Sequence, residues 1–463
     1  MTAPFVPHTE AEISEMLSML GLSTLDDLFE AIPHAVRLAG GLDLPGQWSE
    51  ADLNDRLEEL ASENRPAGRD FVCFAGAGAY DHEIPAVVRA LASRSEFVTA
   101  YTPYQPEVAQ GVLQAVFEYQ TMITRLTGLD IANASLYDGA AALVEAVNLA
   151  TAATGNQRVL CSRGVNPRWR AQMATFAHGS GHEIELVPLA DGITDWSGVD
   201  APEATAAAAG AAGAAGAAGA VVVATPNYLG CLEDVAAARQ AADRLGARLV
   251  VCFDPVAAGV LKTPGSQGAD VVVGEGQPFG LPLSFGGPYL GLFACRLGDV
   301  RRLPGRLVGQ TVDTEGRTAY VTTLRAREQD IRREKASSNV CTNETLMAVT
   351  AAIQLGWLGT TGLSEIALRS ARAARYCREA LLAIDEVEPA AGAPVLREFA
   401  LRIPVGPDVL IERLTGEGYL AGVAVDEGFE GTPYHGSLLV AATERRTRSE
   451  IDAFALAFDK AVR

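Results

Sequence analysis

Apolar positions follow three different rhythms along this chain. Between residues 9 and 65 the spacing is helical. Ile13, Met16, Leu17 and Leu20 recur on one face before a stop at Gly21, and Leu53, Leu57 and Leu60 follow a Ser49 cap. Residues 1–65 therefore read as an N-terminal helical arm. From 66 to 330 the apolar residues come in short unbroken runs: VLCS (159–162), IELVPL (184–189), AVVVAT (220–225), RLVVCFD (248–254), ADVVVG (269–274) and LGLFACR (290–296). Most are rich in Val and Leu, as in strands covered on both faces. Helical tracts such as EDVAAARQAADRLG, ending at Gly246, alternate with them. This predicts a large α/β domain with a mostly parallel central sheet and right-handed crossovers. Beyond 331 the order changes. A helical tract over 342–384, interrupted near Gly356, Gly359 and Gly362, leads into FALRIP, DVLIERLTGEG, LAGVAV, SLLVAAT and a last helix, SEIDAFALAFDKAV. Residues 331–463 read as a smaller C-terminal α+β domain.

Composition narrows the functions. A net charge of −20 over 463 residues argues against nucleic acid or an anionic membrane as partner, since both require a basic face. The start, MTAPFVPHTEAEI, has neither the basic region nor the apolar stretch of a signal peptide, and no apolar run reaches a bilayer-spanning length. The cytoplasm is the expected location. Seven scattered cysteines form no CxxC pair, so no metal site is expected, and Cys73 and Cys252 read as buried thiols. The Ala/Gly tract at 204–220 reads as an expanded surface connection.

Lysine usage matters more. The chain has three lysines, Lys262, Lys335 and Lys460, against thirty-four arginines. Asp254 closes an apolar strand, where a carboxylate can pair with a protonated pyridine nitrogen, or simply cap the turn at Pro255. Asp138 precedes the small residues 139–142, a helix start open enough to hold a phosphate or to pack closely on a sheet. Together these suggest a pyridoxal-phosphate site. Such a site needs a Schiff-base lysine just past the next strand. The window 275–280 reads Glu-Gly-Gln-Pro-Phe-Gly, so Gln277 and Pro278 stand where that lysine belongs. Lys262 comes before that strand, and the other two lysines lie in or near the second domain. No catalytic residue is expected in this chain. A further stretch, YTPYQPE (101–107), displays Tyr101, Thr102, Tyr104, Gln105 and Glu107 on a proline-stiffened turn. The stripe after it, Val108, Val112, Val116, Tyr119, Ile123 and Leu126, reads as core.

Six long motifs, FAGAGAYDHEIPAVV (74–88), AYTPYQPEVAQGVLQAVFEYQTMITRLTGLDIANASLYDGA (100–140), ATPNYLGCLED (224–234), GEGQPFGLPLSFGGPYLG (274–291), LPGRLVGQTVDTEGR (303–317) and TLRAREQDIRREKASSNVCTN (323–343), resemble the glycine-decarboxylating P protein of the glycine cleavage system. More narrowly, they look like subunit 1 of its two-subunit bacterial form. The resemblance runs over roughly 1–450. It implies the aspartate-aminotransferase-like fold type I of pyridoxal-phosphate-dependent transferases. It implies an α2β2 tetramer with subunit 2, which holds pyridoxal phosphate covalently. The assembled enzyme would decarboxylate glycine and pass the aminomethyl group to the lipoyl group of the H protein. By fold analogy Gly286, Gly287 and the segment Tyr101 to Glu107 would face the partner's site, whereas Asn227 and Asp254 would belong to this chain's own degenerate pocket. Two other readings stand beside this one. The chain could be a self-sufficient pyridoxal-phosphate decarboxylase or aminotransferase using an unexpected lysine, or a regulatory protein that binds a ligand in a vestigial pocket.

Overall fold

The computed structural model describes residues 7–38, 42–199 and 217–463. It divides into two units, Met1–Asn64 and Arg65–Arg463. Residues 204–216 of the Ala/Gly tract lie outside the described residues, and Ala218 and Ala220 just after them are already buried.

Two helices of the first unit form as the capping residues predict. Thr9 and Glu12 make a reciprocal capping box at the start of Glu10–Met19, and Ser49 Oγ accepts from the Asp52 amide at the start of Glu50–Ser62. Their apolar faces differ from expectation. Among the described residues of this unit only Leu17 is buried, while Met16, Leu20, Leu53, Leu57 and Leu60 are exposed. Helical spacing sets which residues share a face, but burial needs something for that face to pack on.

The second unit is built on a seven-stranded sheet. In chain order its strands are β1 (Ile131–Ala132), β2 (Arg158–Ser162), β3 (Glu183–Val187), β4 (Ala220–Thr225), β5 (Arg248–Phe253), β6 (Val271–Glu275) and β7 (Gly291–Cys295). Their order across the sheet is β1-β7-β6-β5-β4-β2-β3. Strands β2 to β6 are mutually parallel, and β7 runs antiparallel to both β6 and β1. The Val-rich runs of β4, β5 and β6 are buried nearly throughout, since helices cover both faces. The run 184–189 behaves differently. As β3 it is the edge strand, with only Val187 buried and its glutamates in solvent.

Two long helices frame the sheet. In Pro106–Thr127, residues Val112, Val116, Tyr119 and Ile123 are buried as expected, but Val108 is 81% exposed. The backbone leaves helical geometry at Ala109, so the first turn rotates off the core stripe. Thr345–Leu382 is interrupted at a single point, Gly359, whose φ of +57° and ψ of −170° suit glycine. This helix is long and apolar enough to cross a membrane. Its two halves instead fill two cores: Ala348, Ala351, Leu355 and Leu363 under the large sheet, and Ala374, Cys377 and Leu381 under the C-terminal one.

The C-terminal lobe carries a four-stranded antiparallel sheet, ordered Glu388–Pro389, Glu398–Arg402, Ser437–Ala441, Val423–Val425. Helices Pro407–Gly416 and Arg448–Val462 pack on it. Residues 72–74, grouped by sequence with the large domain, join this lobe: Val72–Cys73 pairs in parallel with Tyr419–Leu420, and Phe74 stacks on Phe454 at 4.0 Å. A hairpin of Val308–Val312 and Thr318–Thr322, which the apolar pattern did not announce, packs against the Pro106–Thr127 helix.

Candidate functional site

In open α/β sheets ligands bind beyond the carboxyl ends of the parallel strands. At that edge β4 delivers Pro226 and Asn227, β5 delivers Asp254, and β6 ends in Glu275 followed by Gln277 and Pro278. All but Gln277 line one cavity, together with Tyr80, Trp169, Arg397 and Glu398. Its volume is about 80 Å³. Sites for small organic ligands run to roughly 300–1,000 Å³.

Each group at this edge that sequence assigned to a cofactor is engaged by the protein itself. Asp254 Oδ1 accepts from the Val256 amide at 3.0 Å, the cap expected before Pro255. Its Oδ2 lies 2.8 Å from the Arg397 guanidinium, which is 4% exposed. Burial alone would weaken the charge on Arg397, but Asp254, Tyr80 and Glu398 hold it firmly protonated. The guanidinium also lies 3.6 Å from the Tyr80 ring centroid. It donates to His82 Nε2 at 2.7 Å, which leaves the His82 proton on Nδ1, 2.7 Å from Glu444. Burial would raise the Glu444 carboxyl, yet bonds from His82 and the Glu83 amide outweigh it and hold the group at about 2.

At the helix start, Asp138 caps Gly139–Thr154 by accepting from the Ala141 amide at 2.7 Å. The free amide of Gly139 donates to Glu275 Oε2 at 3.0 Å. Glu275 Oε1 further accepts from the amides of Gln277 and Leu290, at 2.9 and 3.0 Å. A carboxylate of the chain thus sits among the backbone donors that could have held a phosphate. The Trp169 ring closes over Gly139 so tightly that any Cβ there would collide with it. Desolvation pushes the carboxyls of both Glu275 and Glu398 up to about 7.

Gln277 is 1% exposed. Its Oε1 accepts from the Tyr80 amide at 2.9 Å, and its Nε2 donates to the carbonyls of Tyr80 and Leu281 at 3.1 and 2.8 Å. A lysine has donors only and would leave the Tyr80 amide unsatisfied. Lys262, Lys335 and Lys460 are all exposed, and none lines the cavity. Asn227 has no polar valence to spare: it donates to Gly192 O and Glu233, and accepts from the amides of Leu229 and Cys231. The residues at this edge therefore do not fit pyridoxal phosphate.

The YTPYQPE segment is elsewhere and open. Tyr101, Thr102, Tyr104 and Val108 line a groove of about 1,040 Å³, with Tyr101 80% exposed. Gln105 caps the Pro106–Thr127 helix through its backbone only, Glu107 occupies the first turn, and both side chains are in solvent. What holds the segment is Arg306, a buried residue that sequence reading did not single out. It donates to Tyr104 Oη at 3.0 Å, Cys341 O at 3.0 Å, Asn343 Oδ1 at 3.1 Å and Thr102 Oγ1 at 3.4 Å. Gly286 and Gly287 lie on another exposed turn, where φ is positive at four consecutive residues from Ser284. Arg397 and Trp169 were missed as well. The signal for Arg397 was a lone arginine inside an apolar strand run, VLREFAL.

Comparison with known proteins agrees with this architecture. Residues 3–392 match the glycine cleavage system P-protein family. The chain is 47% identical to a probable glycine dehydrogenase (decarboxylating) subunit 1 of Moorella thermoacetica, over 98% of each chain. It is 44% identical to the protein of the same description from Desulforamulus reducens, over 97% of this chain and 98% of that one. A crystal structure of glycine decarboxylase (P-protein) of the glycine cleavage system, in inhibitor-bound form, superposes with a TM-score of 0.88 at 44% identity, covering 99% of this chain and 100% of the other. A sphingosine-1-phosphate lyase of Burkholderia pseudomallei shares the fold alone, at a TM-score of 0.63 and 15% identity over 93% and 94% of the two chains. The fold is that of the fold type I pyridoxal-phosphate enzymes, and the chain belongs to the glycine cleavage system P-protein family.

Proposed function

We propose that this chain is subunit 1 of a two-subunit glycine dehydrogenase (decarboxylating), a supporting half that is inactive alone. The cofactor, pyridoxal phosphate, is carried by a lysine of subunit 2, with which the chain forms an α2β2 tetramer in the cytoplasm. The assembled enzyme decarboxylates glycine and passes the aminomethyl group to the lipoyl group of the H protein. One observation carries the reading: Gln277 stands buried and fully bonded at the end of β6, where the anchoring lysine would be needed. Tyr101, Thr102, Tyr104, Gln105 and Glu107, with Gly286 and Gly287, face subunit 2 and complete the wall of its site. The exposure of Tyr101, Tyr104, Gln105 and Glu107 beside a wide groove, on a turn that Arg306 stiffens, supports that role for the first segment, and the exposed turn at Gly286 supports it for the second.

The test is covalent trapping. The purified chain is incubated with pyridoxal phosphate, reduced with borohydride and digested for mass spectrometry, with and without subunit 2. The expected result is a phosphopyridoxyl-lysine on subunit 2 only. Stoichiometric labelling of Lys262, Lys335 or Lys460 would instead establish the self-sufficient enzyme.

A further inference from the structure

We infer that the degenerate pocket has become a structural lock, in which the chain's own side chains replace the cofactor point for point and clasp the C-terminal lobe onto the large sheet. Three substitutes carry this inference. The Arg397 guanidinium meets Asp254 where a pyridinium would, again as a cation at 2.8 Å from the carboxylate. The Glu275 carboxyl accepts from the Gly139 amide where a phosphate would, its oxygens occupying the helix N-terminus. The Gln277 amide fills the lysine's position with three bonds of its own. The donors and acceptors that a loaded site would use are thereby paired with no ligand in it.

The substitutes also join parts of the chain that are remote in sequence. Asp254 follows the end of β5, while Glu398 opens the second strand of the C-terminal sheet and Arg397 immediately precedes it. Glu398 accepts from the Ala77 amide at 2.6 Å and from Tyr80 Oη at 2.9 Å. Glu444, beyond the last strand of the small sheet, receives His82, the Glu83 amide and Ser370 of the long helix. The ionisable groups at the centre, Asp254, Arg397, Glu398 and Glu444, are all nearly enclosed, and removing Asp254 or Arg397 strands the other's charge in low dielectric. The network holds the two lobes at one setting. Replacing the glutamine by lysine therefore does not recreate a cofactor site, because the pyridine and phosphate positions stay filled.

This inference deepens the supporting-subunit reading and is tested separately from it. The full chain and its Gln277→Lys variant are each incubated with pyridoxal phosphate, reduced with borohydride and analysed by mass spectrometry, and their melting temperatures are read with and without the cofactor. The expected outcome is no adduct at position 277 and no thermal shift. A stoichiometric adduct there, or a cofactor-dependent rise in the melting temperature of the wild-type chain, would overturn the filled pocket while leaving the roles of the two subunits intact. A double-mutant cycle on Asp254→Asn and Arg397→Met tests the lock, and it decides the matter even if Gln277→Lys does not fold. Each single change should lower the melting temperature by roughly 3–6 °C, and the pair by no more than the worse single change. Additive losses, or no loss, would show that the two groups do not act as one clasp.

Discussion

The cavity at the strand ends and the groove beside Tyr101 are both built with aromatics and arginine, and use them in opposite ways. In the cavity every one of these groups turns inward. Arg397 is consumed by Asp254, His82 and the Tyr80 face, and Asn227 makes all four of its hydrogen bonds within the chain. About 80 Å³ is left over. At the groove the aromatics are presented by a buried arginine outside its lining: Arg306 is 5% exposed, while Tyr101 is 80% and Tyr104 51% exposed. Polar residues gathered at the expected edge of a sheet are therefore no guide to binding until their partners have been identified. Residues held rigid yet left unsatisfied are the better mark of a surface that meets something else.

The contrast can be broken at the support of the groove. Arg306→Ala leaves the Cys341 carbonyl without its donor, leaves Asn343 Oδ1 with only the Thr345 hydroxyl, and frees Tyr104. It should cost about 3 kcal/mol in chemical denaturation of the isolated chain. It should also lower the activity of the reconstituted pair further than the loss of folded protein explains.

Acidity sharpens the other half. Glu275 and Glu398 sit at about 7 because burial disfavours their charged forms, and Glu145 does so for the same reason. A carboxyl raised in the folded state contributes stability that is complete below its unfolded pKa of 4.5 and is lost as pH rises through about 7. Glu444, held at about 2, acts oppositely and contributes above 4.5. Stability should peak near the shared unfolded pKa of 4.5 and decline from pH 5.5 to 8, by at most about 2 kcal/mol for each raised group. Glu275→Gln should flatten part of that decline, and denaturant titrations at the two pH values measure it. Near Glu275 stand Asp138, Tyr119 and Tyr289, which add no positive charge to oppose the trend.

The smallest effect on folding, and the most diagnostic one, belongs to the exposed residues. Tyr101→Ala and Val108→Ser should each change the stability of the lone chain by no more than about 0.5 kcal/mol. If the groove meets subunit 2, Tyr101→Ala should weaken the assembly tenfold or more, as an aromatic anchor does. Analytical ultracentrifugation of the two-chain mixture separates the outcomes. An unchanged association constant would place the partner's surface elsewhere.

Much of this was legible along the chain. Val-rich runs marked β2, β4, β5, β6 and β7 to within a residue or two, because burial on both faces leaves no room for polar alternation. Asp138 and Gly155 bounded their helix through capping geometry that depends only on neighbours. The long hydrophobic stripe after Pro106 failed only at Val108, where a backbone kink intervened. The arm's apolar faces and the edge position of β3 were not legible, because exposure depends on what lies alongside.

The sequence by itself determined that no lysine could stand at the end of β6, and hence that this chain cannot anchor the cofactor there. Composition at a position is unaltered by folding. The tertiary structure alone decided what fills the place. Arg397, Asp254, His82 and Glu444 are far apart along the chain, yet they form one charge network. Ion pairing and desolvation act through distance in space and local dielectric, and neither can be read from separation in sequence.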